Sequence, residues 1–190
     1  MEKLNYEVLK KSGYTGYILE NAPEKVLQFG EGNFLRAFVN YWFDVSNEKA
    51  GWNGKCCLGQ PIAPGLAKLI NEQEGLYTLY LRGTENGEKV DRKRVISSVS
   101  RCLNPYEEEG FVEMMKVAVS DDLEYIVSNT TEAGIVYDPA CALEDKPASR
   151  PHWSMYWLTH FSSSLPLLSI SSQLRITRPL LPALNRSYST

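Results

Sequence analysis

The sequence predicts an α/β fold: a mixed sheet carrying an inserted β-hairpin, followed by a low-order, disordered tail. Three observations point there. Short apolar runs of strand length (Lys25 to Phe29, Lys55 to Gln60, Leu123 to Val127) alternate with amphipathic, helix-length segments, the pattern of parallel strands joined by crossovers. Asn86-Gly87 stands between two β-rich runs and signals a hairpin. From Lys146 to Thr190 there is no Asp, Glu or Gly, although 23 acidic residues and 13 glycines precede that point.

Taken in order, residues 1–24 form a polar lead-in ending at Pro23, with a short helix over Tyr6 to Lys11. The first strand, Lys25 to Phe29, turns on Gly30 and Gly32 into a helix from Asn33 to Glu48. In that helix Phe34, Leu35, Phe38, Val39, Trp42 and Phe43 recur at helical spacing and predict one buried face. Gly51-Trp52-Asn53-Gly54 is a turn, and a second strand ends at Pro61. Strand, helix and strand within some 35 residues make a right-handed parallel crossover.

A short helix over Pro64 to Glu74 follows. Leu76 to Arg82 and a returning strand, Val90 to Arg101, build the hairpin, whose insertion makes the sheet mixed. Asn104-Pro105-Tyr106 opens a helix near Glu107, with Phe111, Met114, Met115 and Ala118 on its core face. The last strand, Leu123 to Val127, runs into Ser128-Asn129-Thr130-Thr131-Glu132-Ala133-Gly134.

A chain of 190 residues buries one good core, with room for an appendage. Its net charge of −3, with both signs mixed, excludes a nucleic-acid face. No run of eighteen apolar residues exists to cross a membrane, and Met1-Glu2-Lys3-Leu4-Asn5 begins no secretory signal, so the expectation is a cytoplasmic protein. Cys56 and Cys57, adjacent in a strand, point to opposite faces; with Cys102 and Cys141 they fit neither a disulfide framework nor a zinc site. No histidine precedes His152, which argues against a Ser/His or Cys/His pair in the ordered part.

The strand, Gly-x-Gly turn and helix form the opening unit of a Rossmann-like, dinucleotide-binding domain. The candidate phosphate turn is Gln28-Phe29-Gly30-Glu31-Gly32-Asn33-Phe34: Gly30 allows the tight turn, and Gly32 lets a pyrophosphate approach backbone N–H groups at the helix start. Leu35 stands where the usual fingerprint has its third glycine, which predicts a helix set further out or at another angle. The same glycine pair also serves an ordinary strand-to-helix turn. Gln60, at the end of the second strand, either bonds a ribose hydroxyl or is an exposed strand end. This leaves NAD and NADP open on local chemistry. Asn129 and Thr130 either touch the nicotinamide-side ribose or the substrate, or belong to a capping sequence in which Thr130 or Thr131 caps a following turn.

These runs resemble the mannitol dehydrogenase family, and within it the tagaturonate reductases (altronate oxidoreductases). The resemblance rests on Val26 to Phe38, on Gln60-Pro61-Ile62, on Asn71 to Arg82 with Gln73, Gly75, Leu76 and Tyr77, and on Val127 to Ile135. It implies an NAD-dependent, metal-independent oxidoreductase acting on a polyol or sugar acid, interconverting D-altronate and D-tagaturonate. It also implies a proton-donating lysine in a helical C-terminal domain. No position here matches that lysine, so no catalytic residue is assigned. The expected division is a cofactor domain over residues 25–145 and an aberrant tail over 146–190. The tail reads as a frameshift or misjoined exon, or else as a genuine Ser/Leu/Pro segment. The chain is then a truncated cofactor domain, prone to self-association through the surface its missing half would cover. The alternative is a non-catalytic nucleotide-binding or interaction fragment.

Overall fold

A computed structural model describes residues 2–129 and the backbone of two short strands at 167–169 and 174–177. Helix α1 (Tyr6–Lys11) precedes β1 (Glu24–Phe29). After β1 a single helical run has three consecutive segments: α2 (Asn33–Leu35), a π-helical segment (Arg36–Asn40) and α3 (Tyr41–Ala50). Then come β2 (Lys55–Gly59), α4 (Ala67–Glu72), β3 (Tyr77–Glu85), β4 (Glu88–Ile96), β5 (Val99–Leu103), α5 (Glu108–Ala118) and β6 (Tyr125–Asn129). The last two strands are β7 (Leu167–Ser169) and β8 (Leu174–Thr177), within the stretch that composition sets apart as the tail.

The main sheet has the order β5-β2-β1-β6-β8-β7. Its first four strands are parallel: Phe29 of β1 lies between Gly59 of β2 and Ser128 of β6. One face packs Leu35, Val39, Ala67 and Ile70 onto Val26, Cys56, Leu58 and Val127. The other packs Met114 and Val117 onto Leu27, Cys57 and Ile126. The adjacent cysteines do serve opposite faces, as strand alternation requires. The chain proceeds outward from β1 to β2 and β5, then returns to the other side of β1 as β6. This reversal makes the carboxyl ends of β1 and β6 a topological switch point.

Three expectations need correction. The sheet is mixed because β8 pairs antiparallel to β6, whereas the β3–β4 hairpin forms a separate two-stranded sheet. The single return strand expected over Val90 to Arg101 is two strands, β4 and β5. The break falls at Ser97-Ser98, both buried: the Ser97 N–H and hydroxyl donate to Asp44 Oδ1 (2.8 and 3.1 Å), and the Ser98 hydroxyl donates to the Asn40 carbonyl (2.7 Å). Helix groups capture both serines, so the chain leaves one sheet and enters the other.

The third correction concerns the helix over 33–50. Leu35 and Val39 are buried and Phe43 packs against the core, but Phe34, Phe38 and Trp42 are 55%, 41% and 54% exposed. A helix has a limited arc against the sheet, and the polar Asn40, Asp44 and Asn47 share it because each meets a buried partner. The three aromatic rings are left on an outer stripe.

The lead-in packs on the core rather than trailing from it. Leu9 joins Leu76 and Val95, and buried Lys55 donates to the Tyr6 hydroxyl (3.0 Å) and the Glu20 carbonyl (2.9 Å). The hairpin is tied down by Arg94, which donates from Nε and Nη2 to Asp44 Oδ2 (2.8 and 2.5 Å) and from Nη1 to Glu48 (2.7 Å). Asp44→Ala is therefore expected to cost about 3 kcal/mol, because it strands a largely buried guanidinium and two serine donors. Glu85→Ala, at the exposed hairpin tip, should cost less than about 1 kcal/mol. Urea unfolding followed by tryptophan fluorescence compares the two; equal losses would show that Asp44 does not tie the hairpin down.

Candidate functional site

The turn from Gln28 to Phe34 lies at the switch point. Gly30 has φ of +113°, a conformation open to glycine, and its N–H donates to the Gly59 carbonyl (2.9 Å). A Cβ on Gly30 would stand 3.1 Å from Leu35 Cδ1. Leu35 is buried under the turn, so a leucine side chain fills the space at the usual third-glycine position. Gly32 has ordinary angles (φ −65°, ψ 162°) at the helix cap, and a Cβ there would meet nothing within 4 Å. That side of the turn is open.

The carbonyls of Gly30, Glu31 and Gly32, at the centre of the turn, are all held by protein donors. The Gly30 carbonyl accepts from Gln28 Nε2 (2.8 Å), that of Glu31 from Arg36 Nε (2.9 Å), and that of Gly32 from the Arg36 N–H (3.2 Å). With the carbonyls engaged, the N–H groups of Asn33, Phe34 and Leu35, which have no partner within the helix, remain for an anion. The Gln28 side chain is completely buried and receives Asn40 Nδ2 on its Oε1 (2.9 Å). Phe29 is buried among Leu27, Met114 and Val117. Glu31 is buried, with Oε1 accepting from the Leu66 N–H (3.3 Å). Asn33 accepts from Arg36 Nη2 (2.6 Å), and exposed Phe34 stacks on Phe38 with centroids 5.8 Å apart.

Gln60 is only 2% exposed, so it is not an exposed strand end. Its Nε2 donates to the carbonyls of Ile62 and Ala63 (both 2.8 Å), and its Oε1 accepts from the Ala67 N–H (3.0 Å). Both amide hydrogens are spent on folding the loop between β2 and α4. Asn129 ends β6, beside the turn, and is half-buried. Thr130 lies outside the described residues. The turn, Gln60 and Asn129 thus share the carboxyl ends of three adjacent strands.

Beyond Gln60, at the ends of β2 and β5, an open cleft of about 710 Å³ is lined by Lys68, Asn71, Asn104 and Glu107 among others. Asn71 guards its wall: its amide donates to the Cys102 carbonyl and accepts from the Cys102 N–H, both at 2.8 Å, as a neighbouring strand would. Burial raises the thiol pKa values of Cys56 and Cys57 strongly, and that of Cys102 to about 12, so none supplies a thiolate near neutrality. Sequence reasoning missed Arg36, Asn40 and Asn71. Arg36 falls within the motif, but its partners Glu31 and Asn33 reveal its role only once the turn is folded.

The sequence profile of the mannitol dehydrogenase Rossmann domain matches residues 24–181. The chain belongs to that family. The match extends past the boundary at 145 that composition suggested. Among curated relatives, the chain is similar to altronate oxidoreductases from Bacteroides thetaiotaomicron (46% identity over 127 residues, 67% of this chain and 26% of the relative) and Bacillus subtilis strain 168 (45% over 148 residues, 77% and 29%). The relative from Phocaeicola vulgatus is 42% identical over 149 residues (78% and 29%). The chain thus spans less than a third of the length of the relatives it matches.

Two solved structures share the fold. They are Pseudomonas fluorescens mannitol 2-dehydrogenase in ternary complex with NAD and D-mannitol (TM-score 0.52, 23% identity, 65% of this chain and 25% of that one) and a substrate-free D-sorbitol dehydrogenase (TM-score 0.54, 17% identity, 73% and 29%). Among the described residues no helix is long and apolar enough to cross a membrane.

The two glycines should respond differently to substitution. Gly30→Ala, forced to a positive φ against Leu35, is expected to lose about 1–3 kcal/mol. Gly32→Asp enters open space at an N-cap, where aspartate is favoured, and should hold or gain a few tenths of a kcal/mol. Urea unfolding of both variants checks this; a Gly32→Asp loss as large as that of Gly30→Ala would refute the assigned turn geometry.

Proposed function

We propose that this chain is the NAD-binding domain of an oxidoreductase of the altronate oxidoreductase type, which interconverts D-altronate with NAD and D-tagaturonate with NADH. The observation that carries this reading is the glycine turn at the switch point, with the Gly30, Glu31 and Gly32 carbonyls drawn onto protein donors and open space at Gly32. The pyrophosphate would lie against the N–H groups of Asn33 and Phe34, with the Arg36 guanidinium close by. The adenosine half would occupy the cleft beyond Gln60. There Gln60 acts on the ribose indirectly, by shaping the loop between β2 and α4. Asn129, the last residue of β6, would meet the nicotinamide side of the cofactor. NAD, when bound, supplies the hydride acceptor. This chain's residues bind and orient it, and none is assigned as proton donor.

Titrating the chain with NADH, followed by nicotinamide fluorescence, is expected to give saturable binding that weakens at least tenfold in Gly32→Asp, whose carboxylate would face the pyrophosphate. Equal binding by both proteins would overturn the phosphate-turn assignment. The chain alone is expected not to reduce D-tagaturonate.

A second reading, a non-catalytic interaction fragment, is favoured by one observation: the outer stripe of Phe34, Phe38 and Trp42. Such a stripe exceeds what an isolated surface helix normally shows to water. Light scattering at increasing concentration should reveal self-association, relieved in Phe38→Glu/Trp42→Lys. A wild-type chain that stays monomeric at high concentration refutes the stripe as a contact surface.

A further inference from the structure

The π-helical segment begins at Arg36, and the Arg36 backbone carbonyl accepts a hydrogen bond from outside the helix. Its donor is the hydroxyl of Tyr77, the first residue of β3, at 2.6 Å. The contact is reciprocal, because the Arg36 guanidinium lies over the Tyr77 ring, 5.3 Å from its centroid. That guanidinium donates onward to the Glu31 carbonyl (2.9 Å) and to Asn33 Oδ1 (2.6 Å). An unbroken path therefore runs from the base of the inserted hairpin to the residue between the two glycines. Tyr77 is partly buried against the core, and β4 backs it through the Tyr77–Ile96 pair, with Ile96 fully buried. Tyr77 is thus fixed by the hairpin and meets the turn through Arg36.

We propose that Tyr77 is a positioning residue for the nucleotide turn, acting through Arg36. Its hydroxyl holds the Arg36 backbone at the π turn, and its ring holds the guanidinium at the height where Nε meets the Glu31 carbonyl. The Glu31 peptide plane then keeps its carbonyl directed at Arg36. Without that restraint the plane can turn, presenting a carbonyl oxygen where a pyrophosphate needs an N–H. The inserted hairpin, remote from the switch point in sequence, is in this way part of the cofactor apparatus. The inference rests on the reading of that turn as a nucleotide site.

The test compares wild type, Tyr77→Phe, Arg36→Met and the double variant, all as the full chain. Tyr77→Phe keeps the ring and removes only the hydroxyl. Two readouts are taken: backbone amide NMR signals of Glu31 and Gly32 without ligand, and the dissociation constant for NADH. The amide signals should move in Tyr77→Phe while those of Ile126 and Val127 stay in place. The dissociation constant should rise about three- to tenfold, the equivalent of one lost hydrogen bond. The double variant should place the Glu31 and Gly32 signals where Arg36→Met alone places them, since the two residues act in series. Unmoved signals, moved signals with wild-type affinity, or additive shifts in the double variant would each overturn the proposal. If wild type binds no NADH, the function proposed above fails, and the amide signals alone decide whether Tyr77 positions the turn. If Tyr77→Phe does not fold, the Glu31 and Gly32 signals of Arg36→Met decide in its place.

Discussion

The rest of the site depends on one buried pair of amides, Gln28 and Asn40. Both are sealed from water, where an unpaired amide hydrogen or oxygen costs about 1–3 kcal/mol. They meet that demand through each other and through the Gly30 carbonyl. A conformation that swung the Gly30 carbonyl elsewhere would leave a Gln28 donor without its short bond in the core. The turn is thus selected by the cost of its alternatives as well as by glycine's freedom. Asn40 reaches Gln28 from the last residue of the π-helical segment, so the irregular turn in the helix and the shape of the phosphate turn are linked.

From that pair the helix over 33–50 extends its reach through a polar row spaced four residues apart. Arg36 holds the turn and meets Tyr77. Asn40 holds Gln28 and the Ser98 hydroxyl, and Asp44 holds Ser97 and Arg94. Glu48 takes the other arm of Arg94, and this ion pair holds its carboxyl below the usual range. Leu35, Val39 and Phe43 run alongside as the core row, while Phe34, Phe38 and Trp42 form the outer row. One helix therefore carries three functions on three faces: packing on the sheet, fastening the turn and the hairpin, and offering an apolar outer surface.

The pattern of elements was legible from the sequence, and the exact partners were not. Periodicity located β1, β2, β6 and the helices because burial imposes its period on each segment locally. The sequence presents the return strand over 90–101 as continuous, because nothing local marks Ser97-Ser98 as a break. The break exists because Asp44 and Asn40, more than fifty residues earlier, supply acceptors there. For the same reason the sequence alone leaves Gln60 as a ribose contact or an exposed strand end. Its engagement with Ile62, Ala63 and Ala67 depends on how the following loop folds back.

By itself the sequence determined the strand–turn–helix unit, the parallel crossover and the hairpin at Asn86-Gly87. These follow from residue type and short-range spacing, which act before any tertiary contact forms. Only the tertiary structure decided that Phe34, Phe38 and Trp42 face outward and that the hairpin stands apart from the main sheet. It also decided that Arg36 joins the glycine turn to Tyr77. The physical reason is common to all three: a helix or strand end offers several ways to satisfy its polar groups and bury its apolar ones. The partner that prevails comes from a distant part of the chain, brought near only by folding.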